Sequence, residues 1–238
     1  MIHVEGVSHY FQVGKRGKER KVPVLHDINF SVAKQEILAI VGRSGSGKST
    51  LLNLMSGYTK PTSGSIEVMN KKISEMNEGN AAQFRLEHYG FIFQSFQLIA
   101  GMTAFENVEL PLTLKKMNTQ ARRKQVQEML ERFGIAEFGS HYPGELSGGQ
   151  QQRVAVARAL ILQPPIILAD EPTGSLDNEN EKQLLTIIQQ LNHEWGTTFV
   201  IITHDEEVAS IAHRTITLND GRIIANVPAH REIGGLQS

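Results

Sequence analysis

The chain has 238 residues with 24 basic and 25 acidic side chains, a net charge of −1 that gives no bulk attraction to nucleic acid or an anionic membrane. It has no cysteine, which excludes disulfides, thiolate metal sites and cysteine nucleophiles, while 40% hydrophobic residues are enough for a real core. The opening MIHVEGVSHYF lacks a signal-peptide pattern and no apolar run approaches the roughly 20 residues that span a bilayer, so a soluble, cytoplasmic chain is expected.

In chain order, residues 2–11 read as a strand, and INFSV (28–32) alternates like a half-buried one. Between them GKRGKERKVP, with five basic residues against one acid, reads as a solvated hairpin tip. ILAIV (37–41) is wholly apolar, as a central parallel strand is. KSTLLNLMSG (48–57) reads as a helix stopped by Gly57, SIEVM as a strand, and GFIF (90–93) as a buried strand running into Gln94. Thr103 and Glu106 form a capping box that starts a helix. From Thr119 a second helix shows Val126, Met129, Leu130 and Phe133 at helical spacing, and Gly134 ends it. PIILAD (165–170) and TFVIITH (198–204) are buried strands, separated by a helix striped with Leu184, Ile188, Leu191 and Trp195. RTITLNDGRIIANV reads as a hairpin turning at Asp220-Gly221. Short apolar strands alternating with amphipathic helices predict an α/β fold with a parallel sheet. The mostly helical stretch from about 95 to 162 reads as a lobe inserted into it.

GRSGSGKST (42–50) fits G-x-x-x-x-G-K-[ST] between a predicted strand and a predicted helix, the context this phosphate loop requires. The candidate nucleotide site is therefore Gly42, Arg43, Ser44, Gly45, Ser46, Gly47, Lys48, Ser49 and Thr50. Glycines let backbone amides turn towards phosphate oxygens, and the helix N-terminus adds positive partial charge. Lys48 neutralises β- and γ-phosphate charge, and the Ser49 hydroxyl is a candidate Mg²⁺ ligand. IILADEPTGSLD (166–177) ends an apolar strand in Asp170, a second candidate metal ligand, with Glu171 next to it as a candidate general base. In parallel sheets ligands sit at the carboxyl ends of strands. Strands ending at Val41, Phe93, Ala169 and Thr203 bring the loop, Gln94, Asp170-Glu171 and His204 to one crevice.

These motifs resemble, in order, those of the nucleotide-binding subunits of ABC (ATP-binding cassette) transporters. The phosphate loop is followed by Gln94 at the Q-loop, LSGGQ (146–150) at the signature, ILADE at Walker B, SLD at the D-loop and His204 at the switch position. The stretches YGFIFQSFQLIAGMTAFENVELPL and LADEPTGSLD resemble the MacB/LolD/FtsE branch, and within it the Ytr-type ATPases of Gram-positive bacteria. The resemblance implies a P-loop NTPase with a mostly parallel core sheet, an antiparallel β subdomain and an inserted helical lobe. The expected division is a core of residues 1–94 and 163–238 and a helical subdomain of 95–162.

It implies ATP hydrolysis with Mg²⁺, in which Glu171, His204, Gln94 and Lys48 are catalytic and Ser49, Gln94 and Asp170 surround the metal. Tyr10 falls where the family stacks an aromatic on adenine, with Phe11 beside it. Ser147, Gly148, Gly149, Gln150 and Asp177 are implied to act in trans, covering the nucleotide of a second subunit, identical or paralogous. Physically, a serine and two glycine amides at a helix start make a second anion site open to close approach.

The resemblance further implies a transmembrane permease that holds the chain peripherally on the inner face of the membrane. Phe96, Leu98, Ile99 and Met102, apolar and without periodicity, read as an uncovered groove for its cytoplasmic helix. Charged residues at Phe96 and Met102 are then expected to leave the fold intact. A soluble ATPase of the same class, of the Fe–S assembly type, is the alternative. A small-molecule kinase would leave LSGGQ without a purpose.

Overall fold

The computed structural model describes residues 1–14 and 19–228. Residues 15–18 of the basic hairpin tip therefore lie outside the described residues. The elements run β1 (Ile2–Val13), β2 (Arg20–Val32), β3 (Ile37–Val41), α1 (Lys48–Met55), β4 (Ser63–Val68), β5 (Lys71–Lys72), α2 (Glu78–His88) and β6 (Tyr89–Phe93). Then follow α3 (Ala104–Leu114), α4 (Thr119–Arg132), α5 (Gly148–Leu160), β7 (Ile166–Asp170), α6 (Asn178–Trp195), β8 (Thr198–Thr203), α7 (Glu206–Ser210), β9 (Arg214–Asn219) and β10 (Arg222–Pro228).

Two sheets form. One has the order β2-β1-β4-β5 and is antiparallel. The other has the order β10-β9-β3-β8-β7-β6, with β9, β3, β8, β7 and β6 parallel to their neighbours and β10 antiparallel to β9. The central strands are continuously apolar because both faces are covered. Ile37 and Ala39 of β3, Ile167 and Ala169 of β7, and Phe199 and Ile201 of β8 pack under α3 to α6. Their neighbours Leu38, Ile40, Ile166, Leu168, Val200 and Ile202 face α1 and the antiparallel sheet. Each of the Leu, Ile, Val and Phe side chains among these, fully buried, contributes about 1.5–3 kcal/mol.

The parallel register aligns the carboxyl ends of the strands. Val41 stands opposite Thr203, Ile202 opposite Asp170, and Asp170 opposite Phe93. The helices α3, α4 and α5 lie between β6 and β7 in sequence, and their apolar stripes share one core with the underside of the sheet.

One expectation from sequence is corrected here. Phe96 is not uncovered: it is 9% exposed. Phe96 and Gln97 both adopt left-handed backbone, φ 58° and 47°. Their carbonyls accept from the Arg158 guanidinium of α5, at 2.8 Å for Phe96 and 2.6 Å for Gln97. That clamp turns the ring inward. Phe96→Asp buries a charge where a ring belongs and is expected to destabilise the fold by about 3 kcal/mol or more, read as a lowered denaturant midpoint. Ile99 is the exposed apolar side chain of this stretch and Met102 is half-buried.

Candidate functional site

Among the described residues, six of the seven α-helices begin on a side chain that caps them: Asn77, Thr103, Asn118, Ser147, Asp177 and Asp205. Helix α1 alone has no side-chain cap; it begins at Gly47, φ 101°. A β-carbon on Gly47 would lie 2.8 Å from Leu25 Cδ2, so space and backbone both demand glycine. The first amides of α1 are left free to meet an anion. Lys48 is buried and its Nζ donates to the carbonyls of Gly42 at 2.8 Å and Arg43 at 3.1 Å, spanning the inside of the loop. Ser46 Oγ is buried without a partner, a polar atom facing a phosphate-binding turn.

Ser49 Oγ donates to Asp170 Oδ1 at 3.4 Å, bringing two hard oxygen ligands to one point at the end of β7. Burial and then the neighbouring Glu171 charge raise the Asp170 carboxyl above its ordinary range, opposed by Ser49 and Lys48. Glu171 follows in left-handed backbone, φ 47°, with its amide fastened to the Ile202 carbonyl at 2.9 Å. Its Oε2 meets His204 Nδ1 at 2.9 Å. Glu171, Lys48, Ser49 and Thr50 line one cavity of about 330 Å³ with Ser44, Gly45 and Gly47. The Gln94 amide donates to the Asp170 carbonyl at 3.0 Å, while its side chain lies against Gly174. The loop, Asp170, Glu171, Gln94 and His204 are thus all at one sheet edge.

Tyr10 is a correction. The aromatic that lines this cavity is Phe11. The pairing of β1 with its neighbours shifts between Val4 and Val7 and again near His9, so the inward face moves from Ile2 and Val4 to Val7 and His9. Phe11 shares the His9 face, the two rings 4.8 Å apart edge to face, and Tyr10 points the other way under the Lys21 ammonium at 4.5 Å. The parity of Val7 and His9 is the signal in the sequence that selects Phe11.

The signature segment does not line this cavity. Ser147 and Gln150 cap one another: Ser147 Oγ accepts from the Gln150 amide at 3.3 Å and Gln150 Oε1 accepts from the Ser147 amide at 2.8 Å. Asp177 caps α6 through the Asn180 amide at 2.9 Å, a bond that holds its carboxyl below the usual range. No motif singled out Gln152, which is buried and donates to the Pro172 carbonyl at 2.9 Å, tying α5 to the segment after Glu171.

The ABC transporter family profile matches residues 25–174. The chain is 62% identical over 221 residues to the ABC transporter ATP-binding protein YtrE of Bacillus subtilis, covering 93% of this chain and 96% of that one. It is 44% identical to the lipoprotein-releasing system ATP-binding protein LolD of Bacteroides fragilis, over 94% of this chain and all (100%) of LolD. A macrolide export ATP-binding/permease protein, MacB 1/2 of Paracoccus denitrificans, is 43% identical over 95% of this chain, which spans 33% of MacB. Among solved structures, the ATP-binding cassette MJ0796, dimeric with ADP and Pi after hydrolysis, superposes with a TM-score of 0.89 at 39% identity, covering 96% of this chain and 99% of that one. The chain therefore belongs to the ABC transporter family, as an ATP-binding and ATP-hydrolysing subunit.

Proposed function

We propose that the chain works as one half of a head-to-tail dimer that closes over two ATP molecules and drives a separate permease. The observation that carries this is the uncapped α1 sharing one cavity with Glu171, with Asp170 against Ser49 and His204 against Glu171. Free amides and Lys48 take the β- and γ-phosphates. Phe11 stacks on the base, in place of Tyr10. Glu171 accepts a proton from the attacking water, His204 holds Glu171 in place, and Gln94 reports the γ-phosphate to the segment that follows it.

Ser49 and Asp170 fit Mg²⁺, being hard oxygen ligands within 3.4 Å of each other. Among the described residues no group of three or more His, Asp or Glu side chains is placed to hold a metal by itself, which suits a cation completed by ATP phosphates and water. Bound there, it would neutralise developing phosphate charge. Chelation of divalent cations with EDTA is expected to stop phosphate release, and restored Mg²⁺ to recover it; release that continues in EDTA sinks the metal assignment.

Ser147, Gly148, Gly149, Gln150 and Asp177 face the second protomer's nucleotide. This reading draws on the dimeric post-hydrolysis cassette that superposes on the chain. It divides the chain into a nucleotide-binding core, 1–94 and 163–238, and a helical part, 95–162, that carries the signature.

For the permease the support is MacB, named as an ATP-binding/permease protein, of which this chain spans 33%. Among the described residues no helix is long and apolar enough to cross a membrane. The permease would therefore hold the chain at the inner face of the membrane. Between α2, β6 and α3 lies a groove of about 460 Å³ lined by Tyr58, Leu86, Phe91, Leu110, Pro111 and Leu114, with Gln97 at its edge. Tyr58 is 55% and Leu114 59% exposed. We place the permease's cytoplasmic helix there, three residues from Gln94. Leu114→Asp is expected to leave folding and ATP binding unchanged and to abolish co-purification with the permease. Retained co-purification sinks the groove assignment.

A further inference from the structure

Gly148 and Gly149 stand side by side at the start of α5, yet their surroundings differ. A β-carbon on Gly148 meets nothing nearer than the Ser175 carbonyl oxygen at 4.0 Å. A β-carbon on Gly149 falls 2.4 Å from Asn180 Oδ1, 2.7 Å from Cγ and 2.9 Å from Nδ2. The obstruction comes from the same chain, nine residues past Glu171.

Asn180 is not free to step aside. Its Nδ2 donates to both carboxylate oxygens of Asp177, at 2.9 Å each, and its backbone amide donates to Asp177 Oδ1 at 2.9 Å. Swinging the side chain away from Gly149 gives up both Nδ2 bonds to the carboxylate and leaves it only the backbone-amide bond from Asn180. Nearby, Gln152 Nε2 donates to the Pro172 carbonyl, a second tie between α5 and the segment leading to Asp177.

We propose that Asn180 is a positioning residue that fastens the Asp177 loop to the signature turn, so that the two elements facing the partner's nucleotide move as one body. Gly149 is glycine because Asn180 occupies the place its side chain would need. The proposal rests on the reading of Ser147 to Gln150 and Asp177 as partner-facing. Its geometry is internal to one protomer. Asn180 touches no reacting atom; it acts through Asp177 and Gly149.

The test uses the full chain with Gly149→Ala, Asn180→Ala, Asn180→Asp and the two double variants. Without nucleotide, Gly149→Ala is expected to lower Tm by roughly 2–8 °C, since it displaces a hydrogen-bonded side chain in a chain of this size. Adding Asn180→Ala removes the obstructing atoms and is expected to restore at least half of that loss. Adding Asn180→Asp keeps the bulk and restores nothing. In hydrolysis, Asn180→Ala and Asn180→Asp are each expected to lower kcat about tenfold with the ATP KM within about twofold, because the phosphate loop is untouched while the partner-facing loop is misplaced. Additive Tm losses in the Gly149→Ala/Asn180→Ala double variant overturn the contact. Wild-type kcat in both single Asn180 variants overturns the positioning role. The Tm arm reads a single protomer without nucleotide, so its outcome is independent of whether the signature acts in trans.

Discussion

Glu171→Gln is expected to lower phosphate release by at least ~10²-fold while ATP binding is retained, because the amide keeps the size of the carboxylate and cannot take a proton. The local geometry argues that the substitution stays in place. The backbone of residue 171 is held by the Ile202 carbonyl at 2.9 Å, and a glutamine oxygen can still accept from His204 Nδ1, now at 2.9 Å from Glu171 Oε2. Lys48, Ser49 and the free amides of α1 are untouched, so the phosphates keep their ligands. A dimer that closes on ATP and cannot discharge it accumulates. Sedimentation of the variant with ATP is therefore expected to show a species of twice the protomer mass, and the wild-type chain a transient one. His204→Ala leaves the carboxylate but loses its orienting contact, and is expected to fall between the two. Turnover of Glu171→Gln near the wild-type rate removes Glu171 as the base.

The parts of this site that were legible in the sequence are those whose physics is local. β3, β7 and β8 read as buried strands because both of their faces are covered, which leaves unbroken apolar runs in the chain. The phosphate loop was legible because its glycines and Lys48 stand at fixed spacing between a strand and a helix. Asp170, Glu171 and His204 followed from the strand ends, since parallel register brings those ends together. What sequence reasoning missed depends on partners distant in the chain. Phe96 is buried because Arg158, 62 residues on, clamps its carbonyl. Phe11 rather than Tyr10 lines the cavity because irregular pairing in β1 changes which residues face inward. The S-x-x-Q spacing of 147–150 is itself a capping-box signal, and it explains the start of α5 without any partner. Gly149 could not be assigned to Asn180 from spacing alone, because the two meet only once α5 and α6 pack.

Ser147→Arg is expected to abolish hydrolysis while the same chain still binds ATP. Ser147 Oγ caps α5, and losing that cap costs about 1 kcal/mol, too little to unfold the chain. Ser147→Ala measures that local cost separately. What arginine adds is bulk and charge at the turn that we propose closes against the second protomer. The protomer's own cavity is lined by Lys48, Ser49 and Glu171, not by Ser147, so binding in cis has no reason to change. Lys48→Ala carries the complementary lesion: it empties the loop whose carbonyls at Gly42 and Arg43 the ammonium spans. Each variant alone forms dimers with two defective sites. Mixed, they form dimers in which the Ser147→Arg chain supplies an intact phosphate loop and the Lys48→Ala chain an intact signature, completing one site and doubling the damage in the other. Phosphate release that rises on mixing two inactive preparations is the expected result and has no explanation in cis. Ser147→Arg turning over by itself at the wild-type rate overturns the trans assignment.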